Sequence, residues 1–170
     1  MKLNKERKQE LEDIYQKFYH DERIQRMKEI PMHRGSNCFE HSFKVAKIAI
    51  KRAMRHKNVV LEVVLLAAIL HDYYLYDWRK DRALLKKHNK NHPQLAAKNA
   101  AKDFGVDIIV QKAIKSHMWP INFKDFPNSK EARIVAVADK IVATNEGITS
   151  IAYKNKHRDK YLKKLEYLFN

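Results

Sequence analysis

Apolar residues recur at helical spacing along most of this 170-residue chain. In the first thirty positions they return every three or four residues, which is the period of one face of an α-helix. We therefore predict one or two amphipathic helices before Pro31. Their apolar stripe consists of Leu11, Ile14, Tyr15, Phe18, Tyr19, Ile24 and Met27.

A loop is predicted over residues 31–36, where proline, glycine and serine interrupt the pattern. Asn37 follows the loop, and Glu40 stands three residues later, as in the capping box that opens many helices. We expect this second helical segment to run to about His56. His41 lies one turn before Val45 on its apolar stripe.

The most apolar part of the sequence runs from Val59 to Leu70, with Glu62 as its single charged residue. Its valines leave a β-strand open as an alternative. Leucine, alanine and isoleucine dominate its second half, however, and this composition favours a helix that is buried on nearly all sides. His71 and Asp72 would then end a central helix.

Two further helices are predicted from their start and stop signals. Pro93 suits the first turn of a helix, which places His92 at a helix start, and Gly105 is a typical stop. Asp107 can cap the next helix, which places His117 at a helix end.

The last predicted helix contains Asp139 in the middle of an apolar stretch. Asn128 and Glu131 repeat the capping-box pattern before it, and Gly147 is a plausible terminator. The remainder, 148–170, reads as a charged amphipathic helix or a tail.

Composition supports the same fold class. Three glycines and four prolines leave few tight turns, so we predict an all-α bundle of six to eight helices. The length fits a single domain over residues 1–170. Its core is expected over 33–147, with N-terminal helices and a C-terminal helix or tail packed on it.

Charge and cysteine content indicate which partners and which cellular compartment to expect. The formal net charge of +15 favours phosphate-rich partners, although lysine-rich solvated helix faces would give the same value. Cys38 is the single cysteine, the N-terminus lacks the apolar core of a signal peptide, and no segment is long enough to span a bilayer. We therefore expect a cytoplasmic protein without membrane attachment.

Buried charges give the first indication of chemistry. Asp139 sits on an apolar helix, and His71 and Asp72 follow an apolar run, so each loses hydration unless something compensates. Alone, each could be a core histidine or a buried ion pair. Together with His41 they form a set of imidazole and carboxylate ligands that suits iron, manganese or zinc.

At this point the sequence resembles the HD superfamily of metal-dependent phosphohydrolases, whose signature is a histidine, a His-Asp pair and a distant aspartate. The matching segments are EHSFKVAKIA around His41, LLAAILHD ending at Asp72, and VAVADKIVAT around Asp139. The resemblance implies an all-α HD-domain helical bundle with the metal held between helices. It also implies hydrolysis of phosphoester bonds, commonly in nucleotides.

Some members of that superfamily add two histidines and hold two metal ions, and His92 and His117 occupy the matching positions. These members resemble cyclic-dinucleotide phosphodiesterases and bacterial dinucleoside polyphosphate hydrolases. Leu75 stands where the cyclic-dinucleotide enzymes carry lysine, and their GYP segment is missing, which disfavours that substrate. The sequence looks more like an uncharacterised bacterial branch.

The resemblance implies two ions, iron or manganese, and a water that loses its proton to become the attacking hydroxide. Asp72 would bridge the ions and act in catalysis. His41, His71 and Asp139 would hold one ion, and His92 and His117 the other.

Other side chains are candidates for substrate contacts, although each is also an ordinary surface or core residue. Cationic candidates for binding the anionic substrate are Arg34, Lys44, Arg79 and Lys140. Trp78 and Trp119 are candidates for stacking a base, Glu40 for orienting the nucleophile, and His33 for a further site residue. His20, His56, His88 and His157 are interpreted as surface residues.

The sequence therefore predicts a phosphohydrolase that cleaves a phosphoester or phosphoanhydride bond in a nucleotide or a related small anionic compound. Two alternatives stay open: a non-catalytic module that senses metal or nucleotide, and a basic nucleic-acid-binding helical protein. No nucleic-acid-reading motif accompanies the charge, so long nucleic acid is the weaker partner.

Overall fold

The apolar run after Val59 forms the central helix of a helical bundle, which confirms helix over strand. The computed structural model describes residues 3–32, 36–80 and 82–154, and within them no β-strand occurs. The helices are α1 (Lys5–His20), α2 (Glu22–Gln25), a short 3-10 helix (Arg26–Glu29), α3 (Cys38–Ala53), α4 (Leu61–Leu70), α5 (Arg82–Phe104), α6 (Ile108–Ser116) and α7 (Lys130–Lys154).

Helix α4 is buried because it packs against α1, α3, α5, α6 and α7. Eight of its ten residues are buried, and Val64 and Ile69 have no accessible surface. Each fully buried side chain of this size contributes about 1.5 to 3 kcal/mol to folding. Within the described residues, no helix has the length and apolar character needed to cross a membrane.

Helices α3 and α7 flank α4 and run in opposite directions. At its start, α7 meets the loop between α3 and α4, where the Glu131 carboxylate accepts from the Val60 amide at 3.0 Å. Further along, it reaches the first turns of α3, where Asp139 contacts His41. This arrangement brings the middle of α7 to the end of α4.

Most of the predicted helix ends are confirmed. The Asn37 side chain caps α3 by accepting from the Glu40 amide, and Asp107 caps α6 by accepting from two backbone amides. Gly105 ends α5 with a φ of 64°, a left-handed conformation that glycine adopts without a Cβ penalty.

Two predicted ends of α7 are wrong. Ser129, rather than Asn128, bonds the first turn, since its hydroxyl accepts from the Ala132 amide at 3.0 Å. Gly147 does not end the helix, which continues to Lys154. A glycine inside a helix costs only about 1 kcal/mol relative to alanine, so the packing of α7 against α3 can override it.

The predicted helix start at His92 is also wrong, because Pro93 lies inside α5. A proline has no N–H, so the Asn89 carbonyl four residues earlier loses its helical donor. The Asn122 side-chain amide supplies a replacement, donating to the Asn89 carbonyl at 3.1 Å and to the Lys90 carbonyl at 3.3 Å. Tertiary contacts thus allow a proline where the sequence pattern indicated a boundary.

Candidate metal centre

Side chains from five helical segments converge beside the end of α4. The structure brings together all six residues that the sequence predicts as metal ligands, and each is buried. Two follow directly on the last turn of α4, and α5, α6 and the flanking helices supply the rest. These residues are His41 in α3, His71 and Asp72 after α4, His92 in α5, His117 after α6, and Asp139 in α7.

One half of the centre is built around Asp139. Its Oδ1 lies 3.1 Å from the Nε2 of His41 and 3.7 Å from the Nε2 of His71. The ligand atoms of these three residues all lie within 4.8 Å of one another, which is close enough for one ion to contact them together.

The other half is built around His92 and His117, whose Nε2 atoms lie 3.0 Å apart. Asp72 faces both halves. Its Oδ1 lies 3.3 Å from the Nε2 of His92 and 3.8 Å from the Nε2 of His117. Its Oδ2 lies 3.3 Å from the Nε2 of His71 and 4.0 Å from the Nε2 of His41. The carboxylate therefore spans the two groups of ligands.

Hydrogen bonds at Nδ1 fix the orientation of all four imidazoles. His71, His92 and His117 each face a backbone carbonyl of their own helix, at 2.8, 2.8 and 2.7 Å. A carbonyl oxygen only accepts, so each Nδ1 carries the hydrogen and, in the neutral ring, each Nε2 carries a lone pair. Metal-binding histidines commonly show this pattern.

Some of the inward-facing Nε2 atoms are not satisfied by the protein itself, which is the main evidence that a cation fits here. The buried Nε2 of His71 has no hydrogen-bond partner among the described residues. The close contact between His92 and His117 sets two lone pairs against each other. Burial, with the neighbouring histidines His71 and His92, lowers the pKa of His117 to about 3, so protonation of His117 does not relieve that contact. A divalent cation would satisfy these atoms.

The carboxylates stay ionised in this buried setting. Burial alone would raise the pKa of Asp139, but the hydrogen bond with His41 and the nearby His71 outweigh it and hold the pKa well below its usual range. In the same way, contacts with His71 and His92 overcome the burial of Asp72 and depress its pKa. Imidazole and ionised carboxylate together form the donor set that suits iron, manganese or zinc.

Residues 38–144 match the family described as HD domain, over more than half of the chain and across all six residues of the centre. This chain belongs to the HD-domain family. HD domains are generally metal-dependent hydrolases that bind divalent ions, in agreement with the donor set. No curated protein and no solved structure gives a significant match to the chain.

A cavity of about 420 Å³ adjoins the centre of this HD domain. Asp72, His92, His117 and Asp139 form its inner wall. Its volume falls within the range of about 300 to 1,000 Å³ that is usual for small-molecule sites. The ligands are therefore accessible to a compact substrate.

Lys140 is the predicted substrate residue that lies at this cavity. Its Nζ donates to the carbonyls of His117 at 2.8 Å and Ala136 at 3.2 Å. Burial lowers its pKa, while Asp139 partly opposes that shift. An ammonium group has three N–H donors, so one remains for a substrate oxygen.

Two of the other predicted cationic residues, Lys44 and Arg79, do not line this cavity. Lys44 contacts Glu146 at 3.0 Å, and the exposed Arg79 contacts Asp77 at 3.3 Å. Arg34 lies outside the described residues, as do His33 and His157.

Trp78 lines the cavity, whereas Trp119 is exposed beside it. Glu40 is exposed, and its backbone amide bonds the cap of α3.

The interpretation of His88 as a surface residue is wrong, because only 9% of it is exposed. Its ring stacks between those of Trp78 and His92, with centroids at 5.0 and 4.4 Å, and its Nδ1 contacts the Tyr76 hydroxyl at 2.9 Å. His88 stands four residues before His92, on the same helix face. This four-residue spacing could have indicated from the sequence that His88 lies on the same side of the helix as His92.

Glu146 is a second residue that the sequence interpretation missed. Its Oε2 lies 3.0 Å from the Nδ1 of His41, and its Oε1 accepts from Lys44. Glu146 follows Asp139 by seven residues, or two helical turns, so both carboxylates meet the same face of α3. The spacing was visible in the sequence, but Gly147 suggested that the helix ended there.

Proposed function

We propose that this chain is a metal-dependent phosphohydrolase that cleaves a phosphoester or phosphoanhydride bond in a nucleotide or a related small anionic compound. The observation that carries the proposal is the convergence of four imidazole Nε2 atoms and two carboxylates on one buried point beside a cavity. Membership of the HD-domain family supports the same class of chemistry.

In this proposal, His41, His71, Asp72 and Asp139 would hold one divalent ion, and Asp72, His92 and His117 would hold a second. Such ions, when bound, lower the pKa of a coordinated water and offset negative charge on phosphoryl oxygens. The metal is proposed to be iron or manganese, because nitrogen and oxygen donors without thiolates suit these ions.

The protein's own residues orient the imidazoles and bind the substrate. The Nδ1 hydrogen bonds hold each imidazole in one orientation, so little rearrangement is needed during the reaction. Lys140 can donate its third N–H to a phosphoryl oxygen in the cavity. The net charge of +15 would raise the local concentration of an anionic substrate.

The proposal is tested with protein loaded with Fe or Mn and a panel of nucleotides, dinucleoside polyphosphates and phosphomonoesters. We expect phosphate release that is lost on chelation and restored by the metal. Asp72→Asn should reduce turnover by at least about a hundredfold, since it removes the carboxylate shared by both halves. Asp13→Asn, on the exposed side of α1, is the matched control and should keep full turnover.

Two outcomes would count against the proposal. Full turnover in Asp72→Asn would exclude this centre as the catalytic site. Metal binding without hydrolysis of any compound in the panel would favour a module that senses metal or nucleotide.

A further inference from the structure

An exposed apolar surface lies in the chain segment that follows His117, and one of its residues, Ile121, lines the cavity. It is made by four side chains in the connection between α6 and α7, and we call it the mouth patch. Its members and their exposed fractions are Trp119 (36%), Ile121 (63%), Phe123 (73%) and Phe126 (49%). A contiguous group of large apolar side chains facing water commonly marks a binding surface.

The mouth patch is held in place by specific contacts. Asn122 donates to two carbonyls of α5, and Gln94 donates to the Asp125 carboxylate at 2.7 Å. Arg133 of α7 donates to the Pro127 carbonyl at 3.0 Å. Because the backbone between these apolar side chains is tied to two helices, their exposure is a property of the folded protein.

The position of the mouth patch links it to the metal centre. Ile121 is part of the mouth patch and also lines the cavity, as does the preceding Met118. Asp72 and His117 line the same cavity. A molecule with a phosphate at the centre would therefore meet the mouth patch at Ile121.

We infer that the mouth patch binds the bases of a short single-stranded nucleic acid, one phosphate of which enters the cavity. This inference rests on the proposed function and extends its substrate class from single nucleotides to a short strand of linked nucleotides. It assigns the apolar side chains to the part of the substrate that stays outside the metal centre.

The chemistry of the mouth patch fits both the bases and the phosphates of such a strand. Three of its four side chains are aromatic, and flat rings stack on any base without regard to sequence. Lys124 is exposed between Phe123 and Phe126, and the exposed Lys90 lies where Asn122 contacts α5. With the net charge of +15, these lysines complement the phosphates.

The burial of the metal centre favours a nucleic-acid strand over a bilayer surface or a second copy of this chain. All six predicted ligands have at most 9% exposure, so the reacting phosphate must enter a recess. A flexible strand can place one phosphate there while neighbouring bases remain on the mouth patch. A bilayer surface or a second copy of this chain could cover the apolar side chains but would leave the cavity unused.

The test measures binding of a fluorescently labelled single strand of about twelve nucleotides to the Mn-loaded protein by anisotropy. Strand length is checked afterwards by electrophoresis. We expect Phe123→Ala to weaken binding about tenfold. Ile108→Ala removes an equally apolar side chain, 55% exposed, from the opposite end of α6 and should leave binding unchanged.

Turnover of bis(p-nitrophenyl) phosphate separates this inference from the proposed function, because that ester is too small to need the mouth patch. We expect Phe123→Ala to keep wild-type turnover of the ester. If wild type hydrolyses neither this ester nor any compound of the panel used for the proposed function, the proposed function fails whatever the strand does.

Three results would overturn the inference. The first is strand binding that Phe123→Ala does not change. The second is sedimentation with vesicles of phosphatidylcholine and phosphatidylserine that depends on Phe123 when strand binding does not. The third is a dimer in analytical ultracentrifugation that Phe123→Ala dissociates while strand binding is retained.

Discussion

The carboxylate of Glu146 accepts a hydrogen bond from the Nδ1 of His41 at 3.0 Å. The other oxygen of Glu146 accepts from Lys44 at 3.0 Å, which fixes the carboxylate on the side of His41 away from Asp139. Burial would raise the pKa of Glu146, but the bonds from His41 and Lys44 lower it, so the group is ionised at neutral pH. Unlike the other three imidazoles, His41 is thus oriented by a side chain.

We predict that Glu146→Ala lowers the affinity for Mn by about 10- to 100-fold, because His41 loses the partner that fixes its tautomer and orientation. Glu146→Gln should fall between wild type and Glu146→Ala, since an amide oxygen can still accept from Nδ1. Competition with a chromogenic chelator measures the affinities.

Glu62→Ala is the control for the Glu146 variants, because Glu62 is exposed in the first turn of α4, at the end opposite His71. Its metal affinity should match wild type. An unchanged affinity in Glu146→Ala would show that the bond to His41 has no role in holding the ion.

The two halves of the centre lead to a prediction about stoichiometry. Wild type should bind two ions per chain, while His92→Ala and His117→Ala should each keep one and lose most turnover. The reason is that both imidazoles face Asp72 Oδ1, whereas His41 and His71 face Oδ2. Elemental analysis of protein loaded with Fe or Mn without oxygen gives the count.

His20→Ala is the control for these histidine variants, because His20 is exposed at the end of α1. It should keep two ions and full turnover. One ion in wild type, retained in both His92→Ala and His117→Ala, would instead indicate a mononuclear centre of His41, His71, Asp72 and Asp139.

Asn122 compensates for the proline inside α5. We predict that Asn122→Ala lowers the free energy of unfolding by about 0.5 to 1.5 kcal/mol, because the Asn89 and Lys90 carbonyls lose their side-chain donor. The double variant Asn122→Ala with Pro93→Ala should recover part of the loss, since residue 93 regains an N–H for the Asn89 carbonyl. Urea denaturation is measured for wild type, for both single variants and for the double variant.

The contrast between the single and double variants decides whether this account is right. If Pro93→Ala stabilises wild type and Asn122→Ala by the same amount, the two residues are independent. The expected interaction energy between two sites in contact is about 0.5 kcal/mol or more.

Asp21 gives a prediction about pH. It caps α2 by accepting from the Arg23 amide at 2.9 Å, and its carboxylate also accepts from the Arg23 side chain, which is the largest cause of its lowered pKa. A pKa lower in the folded than in the unfolded protein adds stability above the unfolded value, and this stability is lost as pH falls through the folded value.

We therefore expect Asp21→Ala to destabilise the protein by about 1 kcal/mol at pH 7, as for other lost caps. The difference from wild type should shrink below about pH 4, where the unfolded carboxyl takes up its proton. Denaturation at several pH values tests this. A difference that stays constant down to pH 3 would show that the ionised carboxylate is unimportant.

Local sequence signals were sufficient for most of the helices. The apolar run of α4, the caps at Asn37 and Asp107, and the stop at Gly105 are set by residues within a few positions of each other, so a single sequence reveals them. The same holds for the anomaly of Asp139, since a charge on an apolar helix is visible without any knowledge of its partners.

Several failures have the opposite property, because they depend on how separate segments pack. Pro93 is accepted within α5 through a donor 29 positions later, and Gly147 lies inside α7 although the local pattern suggested an end. His88 is buried by Trp78 and Tyr76, which precede α5. No periodicity within one segment carries this information.

What the sequence by itself determined is the inventory: an all-α chain, six candidate ligands and a basic charge. Only the tertiary structure decided that Asp72 faces both halves of the centre, that Glu146 orients His41, and that Ile121 of the mouth patch lines the cavity. The physical reason is that helix formation and hydration penalties depend on neighbouring residues, whereas hydrogen bonds between helices depend on how separate segments pack.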